Sequence, residues 1–389
     1  MTTVLLSVGD TSGDPYAADL VRALRASRPA ARFVGLGGEA MADAGVELCV
    51  HQHSLAVGGI VELAGSLGRI VSGWKKMNRA LHDERPDLAI LIDTADFNVP
   101  FARRVQRAGV PLLYYVLPQV WAWRRRRIHK LRARSNRLAV IFPFEADIYR
   151  GEGVDAEFVG HPLVDSTRNF LRTVDDAGLR ALLGVSTTGP LLALLPGSRR
   201  NELDHQLPLQ LEIARALAKR APGLSCVLPV AASLDPVQVE TRVAALMEGV
   251  VSHPPVRVVR NQTYEAIRAC DVALAKPGTV TLETALLGRP LVVAGRGNAI
   301  SAAILRRLVD VPAWSMPNLI AGQRVVPEFL QESAVPETVA DELAGLLESD
   351  SARAAQLASF EEVRARLGEG GATERVAKIA EELLGTARA

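Results

Sequence analysis

The residues of this 389-residue chain best suited to chemistry stand just past short apolar runs. In LIDTADFN (91–98), Asp93 ends such a run, with Asp96 and Asn98 close behind it. An aspartate directly after a buried strand can serve as a general base, although Asp and Asn at such places also form turns and helix caps. The loop LLPGSRRNE (194–202) supplies Gly197 for a sharp turn, Ser198 as a cap for a following helix, and Arg199 as a cationic fork. Amides at a helix N-terminus attract anions, so this set suits a diphosphate. It is not a Walker loop, because GxxxxGK is absent. The loop AKPGTVTLETALLGRP (275–290) repeats the pattern with Gly278 and Thr279, and puts Glu283 about one turn into the next helix. A carboxylate there can accept both hydroxyls of a ribose, or lie as a solvated helix residue in a favourable dipole. Two such loops fit one nucleotide, phosphates on the first and ribose on the second.

Other residues offer weaker chemistry. The opening loop GDTSGD (9–14) carries Asp10, Ser12 and Asp14 beside two glycines, and His161 stands in VGHPLVD. The histidines form no HExxH or HxxxH pattern and Cys49, Cys226 and Cys270 are scattered, so the expectation is no metal, no cofactor and a reducing compartment. The stretch QVWAWRRRRIHKLRARSNR (119–137) holds seven arginines and one lysine, no acid, and Trp121 and Trp123 at its head. It could grip nucleic acid, lie on an anionic membrane, or hold one substrate phosphate.

These residues need elements to position them. Apolar runs at 4–9, 32–37, 87–93, 111–118 and 137–143 are each followed by a helical pattern, and the same grammar restarts at 190–198, 224–231, 256–260, 271–278 and 290–295. Continuous Val/Leu/Ile runs suit strands covered on both faces, hence parallel sheets with crossover helices. The expected fold is α/β: two Rossmann-like doubly wound domains facing across a cleft, with C-terminal helices. Expected boundaries are 1–168 for the first domain, 169–188 for a linker, 189–350 for the second, and 351–389 for helices packing across domains or subunits. Ligands of such sheets bind at the carboxyl ends of the strands, where the residues above fall.

Composition bounds the partners. With 45 basic and 43 acidic residues the net charge is only +2, which argues against a nucleic-acid coat. The N-terminal MTTVLLSVGD has no basic leader and reads as a first strand. No segment approaches the ~20 apolar residues of a spanning helix, so membrane contact would be peripheral.

Nine motifs in register then resemble the lipid-A-disaccharide synthase family. They are GDTSGD, LAVGGIVEL (55–63), IDTADFN (92–98), PQVWAWRRRRI (118–128), FPFE (142–145), VGHPLVD (159–165), LLPGSRRNE, GTVTLETAL (278–286) and PNLIAGQRVVPEFLQ (317–331). The resemblance implies a metal-independent, inverting glycosyltransferase of GT-B architecture. It would transfer 2,3-diacylglucosamine from its UDP donor to a lipid acceptor of acylated-sugar-phosphate type, 2,3-diacylglucosamine 1-phosphate. The family's base maps onto Asp93, and its nucleotide-binding positions onto Gly197, Ser198, Arg199, Gly278, Thr279, Glu283 and Asn318. Acceptor or lipid contacts are expected from Asp10, Ser12, Asp14, Glu62, Asn98, Trp121, Trp123, Arg124, Arg125 and His161.

With acylated substrates, the two tryptophans suit the headgroup level of a bilayer and the arginines its phosphates. The segment 57–74, apolar but broken by glycines, is a candidate for holding acyl chains, or a buried helix. The implied setting is the cytoplasmic face of a Gram-negative inner membrane, with that anionic surface as partner, no nucleic acid, and a homodimer. The chain departs from the family pattern at Asp10, usually Glu, at Thr94 and Ala95, at Lys276 and Pro277, usually small, and at Gly295, usually aromatic. These departures bear on the donor's acyl pocket. The alternative within this architecture is another sugar-nucleotide transferase or a UDP-sugar 2-epimerase, which would leave the WAWRRRR segment without a role.

Overall fold

Strands buried on both faces cannot alternate polar and apolar residues, and the two sheets follow that rule. The computed structural model describes residues 2–54, 60–118, 127–231, 234–249, 252–297 and 312–386. The described chain divides into two compact units, residues 1–165 with 367–389, and residues 166–366.

The first unit holds a parallel sheet of β1 (Thr3–Val8), β2 (Arg32–Gly37), β3 (Glu47–His51), β4 (Leu88–Ile92), β5 (Leu112–Tyr115), β6 (Arg137–Val140) and β7 (Glu157–Phe158), in the order 3-2-1-4-5-6-7. Its helices are α1 (Asp14–Ser27), α2 (Glu39–Asp43), α3 (Ile60–Asp83), α4 (Ala95–Arg107), α5 (Arg127–Arg134), α6 (Pro143–Gly151) and α7 (Pro162–Thr173), the last crossing into the second unit. The order reverses at β1 and β4, so their carboxyl ends form the switch point where ligands of open sheets bind. All five residues of β4 are buried. One face of the sheet packs Leu5, Leu91 and Tyr114 against Met77 of α3 and Phe101 of α4, and full burial of a ring like Phe101 contributes roughly 1.5–3 kcal/mol.

The second unit repeats the design with β8 (Leu191–Leu195), β9 (Ser225–Val230), β10 (Val256–Arg260), β11 (Val272–Ala275), β12 (Leu291–Gly295) and β13 (Glu328–Leu330), all parallel, in the order 10-9-8-11-12-13. Its helices are α8 (Leu179–Leu183), α9 (Arg200–Ala218), α10 (Pro236–Met247), α11 (Thr263–Ala269), α12 (Thr279–Leu286), α13 (Met316–Ala321), α14 (Pro336–Glu348) and α15 (Asp350–Leu367). Start signals are visible where they act: Asp235 accepts the Val237 amide at 3.0 Å with Pro236 in the first turn of α10.

All ten expected apolar runs form strands. The short edge strands β3, β7 and β13 were not expected, because an edge strand of two to five residues carries no continuous apolar run. The expected linker 169–188 is instead part of the second unit. There Leu179 and Leu183 are buried, Phe170 packs edge-on against Tyr264, and Asp176 pairs with Arg268 at 2.5 Å. The expected C-terminal block also divides. In α15, Gln356 exchanges hydrogen bonds with Leu291 of β12. The last helix, α16 (Ala372–Thr386), returns to the first unit, where the Asp165 carboxylate accepts the amides of Gly371 and Ala372 at 2.8–3.2 Å and Arg28 pairs with Glu381 at 2.5 Å.

Candidate functional site

Asp93 ends β4 in a left-handed backbone, φ +50°, followed by Thr94 at +45° and faced by Val116 at +54° at the end of β5. Such conformations cost about 1–3 kcal/mol each in non-glycine residues and persist only where the surroundings impose them. The surroundings here are explicit. The Asp93 amide donates to the carbonyls of Tyr115 and Val116 at 3.2 and 3.1 Å. Its carbonyl accepts the Tyr114 hydroxyl at 2.8 Å and the Asn98 side-chain amide at 3.0 Å. Burial, with the nearby Asp93 charge, pushes the Tyr114 phenol well up, so it stays a neutral donor. The Asp93 side chain keeps partial exposure.

Asn98 is fully buried and its groups are committed: Nδ2 donates to the carbonyls of Ser7, Ile92 and Asp93, and Oδ1 accepts the Ser7 hydroxyl at 2.6 Å. It is a positioning residue joining β1 to the end of β4, not the acceptor contact expected. Asp14 is corrected likewise, since its carboxylate caps α2 through the Gly38 and Ala40 amides at 2.8 and 2.9 Å. His161 is 2% exposed, its ring lies against Tyr16 and Phe142, and its Nδ1 accepts the Leu163 amide at 3.2 Å. Burial holds it neutral, down to about 3, so it is a core histidine rather than a ligand contact. Asp10 and Ser12 do sit on the surface loop at the end of β1. That loop is tied to the Asp93 turn, because the Gly9 amide donates to the Thr94 hydroxyl at 2.9 Å. A Cβ on Gly9 would stand 2.6 Å from Thr94 Cγ2, so Thr94, a departure from the family pattern, has its own structural partner.

In the second unit, the loop after β8 and the loop after β11 converge. Gly197 has φ +120° and Gly278 +148°, both glycine conformations. A Cβ on Gly197 would meet Glu202 Oε2 at 2.3 Å and Lys276 Cε at 2.9 Å, and one on Gly278 would lie 3.2 Å from Lys276 Nζ. The Lys276 ammonium therefore sits between the two glycine turns. It pairs with Glu202 at 2.9 Å, and the same carboxylate accepts the Ser198 amide at 3.1 Å. Arg199, not Ser198, occupies the N-cap of α9, and its own side chain makes no cap hydrogen bond. Ser198 and Arg199 are exposed, Thr279 less so at the start of α12.

Glu283, one turn into α12, lies against Tyr264, whose hydroxyl hydrogen-bonds it. Burial pushes the Glu283 carboxyl up to about 7, the hydrogen bond opposing that shift. Asn318 is 2% exposed and spent internally, on the backbone of Val325 and Val326 and on Glu328 Oε1 at 2.7 Å. It fastens α13 to β13 and leaves no group for a nucleotide, which corrects its expected role.

Beside these loops lies a cavity of about 330 Å3, lined in part by Glu202, Gln206, Lys276, Pro277, Gly295 and Trp314. Gln206 closes one wall by hydrogen bonds to both backbone groups of Arg296. A Cβ on Gly295 would stand 3.0 Å from Pro277 Cδ. The departures at 277 and 295 thus touch, and the small residue makes room for the proline. Sequence reasoning missed Glu202, Gln206 and Tyr264. Only Glu202 had a local signal, four residues after Ser198 and able to reach back over the first turn.

Trp121, Trp123, Arg124, Arg125 and the side chain of Glu62 lie outside the described residues. Among the described residues no group of three or more His, Cys, Asp or Glu could hold a metal ion, and no helix is long and apolar enough to cross a membrane.

Comparison with known proteins fits this geometry. A family model described as lipid-A-disaccharide synthetase matches residues 4–382. The lipid-A-disaccharide synthase of Syntrophotalea carbinolica is 40% identical over 382 residues, covering 98% of this chain and 95% of that protein. That of Myxococcus xanthus is 40% identical over 382 residues, covering 98% and 97%. Among solved structures, UDP-GlcNAc 2-epimerase from Neisseria meningitidis bound to UDP-GlcNAc superposes with a TM-score of 0.63 at 13% identity, covering 98% of this chain and 99% of that one. The calicheamicin glycosyltransferase CalG4 gives 0.52 at 14%, covering 99% and 98%. These structural likenesses concern the fold, two parallel sheets with flanking helices as in GT-B enzymes.

Proposed function

The chain belongs to the lipid-A-disaccharide synthetase family, and from that premise we propose how its residues carry out the transfer. The enzyme is a glycosyltransferase of lipid A biosynthesis. It moves a 2,3-diacylglucosamine unit from the UDP donor to the 6-hydroxyl of 2,3-diacylglucosamine 1-phosphate, releasing UDP and the β-1,6 disaccharide 1-phosphate.

Asp93 is the base. It takes the proton of the acceptor 6-hydroxyl as that oxygen bonds to the donor's anomeric carbon. The bond from that carbon to the UDP oxygen breaks on the opposite face, its electron pair leaving with UDP, so the configuration inverts. The observation that carries this is the backbone around Asp93: three left-handed residues at the ends of two central strands, held by Tyr114 and Asn98. Strain of that kind, kept by dedicated hydrogen bonds, is characteristic of functional sites.

The donor's diphosphate lies on the loops at Gly197 and Gly278, met by their amides, Arg199 and Lys276. Glu283 accepts from the ribose hydroxyls, and the uracil enters the cavity by Gln206 and Trp314. These cations and amides stabilise the charge that gathers on departing UDP, so the reaction proceeds without a metal ion. The acylated substrates are met at an anionic membrane surface through the basic segment 119–137.

The test is product analysis. Purified enzyme with both substrates in neutral detergent micelles and EDTA should yield the disaccharide 1-phosphate by mass spectrometry, with a β linkage by NMR. An α-linked product would contradict single displacement, and activity abolished by EDTA and restored by a divalent cation would contradict metal independence.

A further inference from the structure

The outer face of α4 carries Asp96, Val99, Pro100, Arg103, Arg104 and Arg107, a spacing that puts all six on one side of a helix. Arg127, Lys130 and Arg134 form a matching stripe on α5. With Trp74 of α3 these stripes enclose a pocket of about 400 Å3 that has six cations in its wall and a single carboxylate. The carboxylate, Asp96, is engaged with Arg127 at 2.6 Å, and Arg134 donates to the Val99 carbonyl at 2.7 Å. Among the described residues, Arg103, Arg104, Arg107 and Lys130 make no ion pair.

Several arginines elsewhere find acids on their own or neighbouring elements, as Arg22 with Asp19 and Arg150 with Asp147. The chain has nearly as many acids as bases, so this cluster is a local choice. Adjacent helices that meet through like charges lose stability rather than gain it, and burial together with Arg103 pushes the Arg134 guanidinium down. An anion in the pocket would reverse the sign of that interaction. Arginine forks suit phosphate oxygens, and a volume of this size admits a headgroup. The apolar side of the pocket, Trp74 with Val99 and Pro100, continues on α3 to Val71, which is 50% exposed. A ring and an aliphatic side chain beside clustered cations match the boundary between phosphates and acyl chains.

We propose that the pocket between α4 and α5 binds the phosphate of an anionic phospholipid headgroup, a lipid site separate from the donor and acceptor sites. This rests on the reading that the enzyme works at a membrane surface, and it adds Arg103, Arg104 and Arg107 of α4, which no sequence motif had marked.

The experiment is flotation of the full chain with phosphatidylcholine vesicles, with and without phosphatidylglycerol, for wild type, Arg103→Gln/Arg107→Gln and Arg103→Lys/Arg107→Lys. Turnover in neutral detergent micelles is measured alongside. Wild type should float only with phosphatidylglycerol, the glutamine pair should lose about 10-fold or more in vesicle partitioning, and the lysine pair should keep most of it. Turnover and acceptor KM in neutral micelles should be unchanged in both. A glutamine pair that floats like wild type overturns the pocket while leaving the membrane reading intact. Wild type that fails to float with either vesicle overturns the membrane reading itself. A raised acceptor KM in micelles with unchanged flotation assigns the pocket to the acceptor's own phosphate instead.

Discussion

Glu283 gives up its proton less readily than an ordinary glutamate, because burial pushes it up to about 7. Between its unfolded value of 4.5 and about 7, the folded chain therefore keeps a proton that the unfolded chain has released. Stability from this group is complete below pH 4.5 and is lost as pH rises through that window. Glu283→Gln carries no such dependence. The melting temperature of the variant should gain on wild type by a few degrees between pH 5 and 8; a constant gap would mean that the carboxyl is not buried as described. The same residue was legible in the sequence as a carboxylate one turn into a helix, but not its burial, since Tyr264 comes from a different element. Asp14, Asn98 and Asn318 show the opposite failure. Asp14 and Asn98 had the right polarity and a place just past a strand, Asn318 had its place in a family motif, and each is spent on groups of its own unit. Residue type and spacing cannot separate a ligand's hydrogen bonds from the chain's own.

The elements were easier to read. Central strands announce themselves as unbroken apolar runs because both faces are covered, and the glycine turns at 197 and 278 because only glycine takes those angles without strain. The edge strands left no such mark because they are too short to carry a continuous apolar run, and the return of α16 to the first unit left none because it depends on contacts between residues about 200 apart, such as Asp165 with Gly371. At this scale the two glycine loops act as one device through Lys276, held between them by Glu202. Lys276→Met should raise the Kd for UDP by roughly 10-fold or more, the worth of a charge-assisted hydrogen bond, with a smaller effect on kcat. Calorimetric titration with UDP reads this directly, and an unchanged Kd would restrict Lys276 to fastening the loops.

For the whole molecule, the proposed mechanism gives the two sheets different tasks. In that proposal the switch point of the first activates an acceptor hydroxyl, and the loops of the second hold a nucleotide and receive the charge of its departure. The decisive measurement is UDP release from the UDP-2,3-diacylglucosamine donor with and without 2,3-diacylglucosamine 1-phosphate, in neutral detergent micelles, comparing wild type with Asp93→Asn. Release that requires the acceptor, falls about 100-fold or more in the variant, and leaves UDP affinity unchanged is the predicted result. Release that proceeds equally without acceptor, or that Asp93→Asn leaves intact, would contradict the assignment of Asp93 as the base of the transfer.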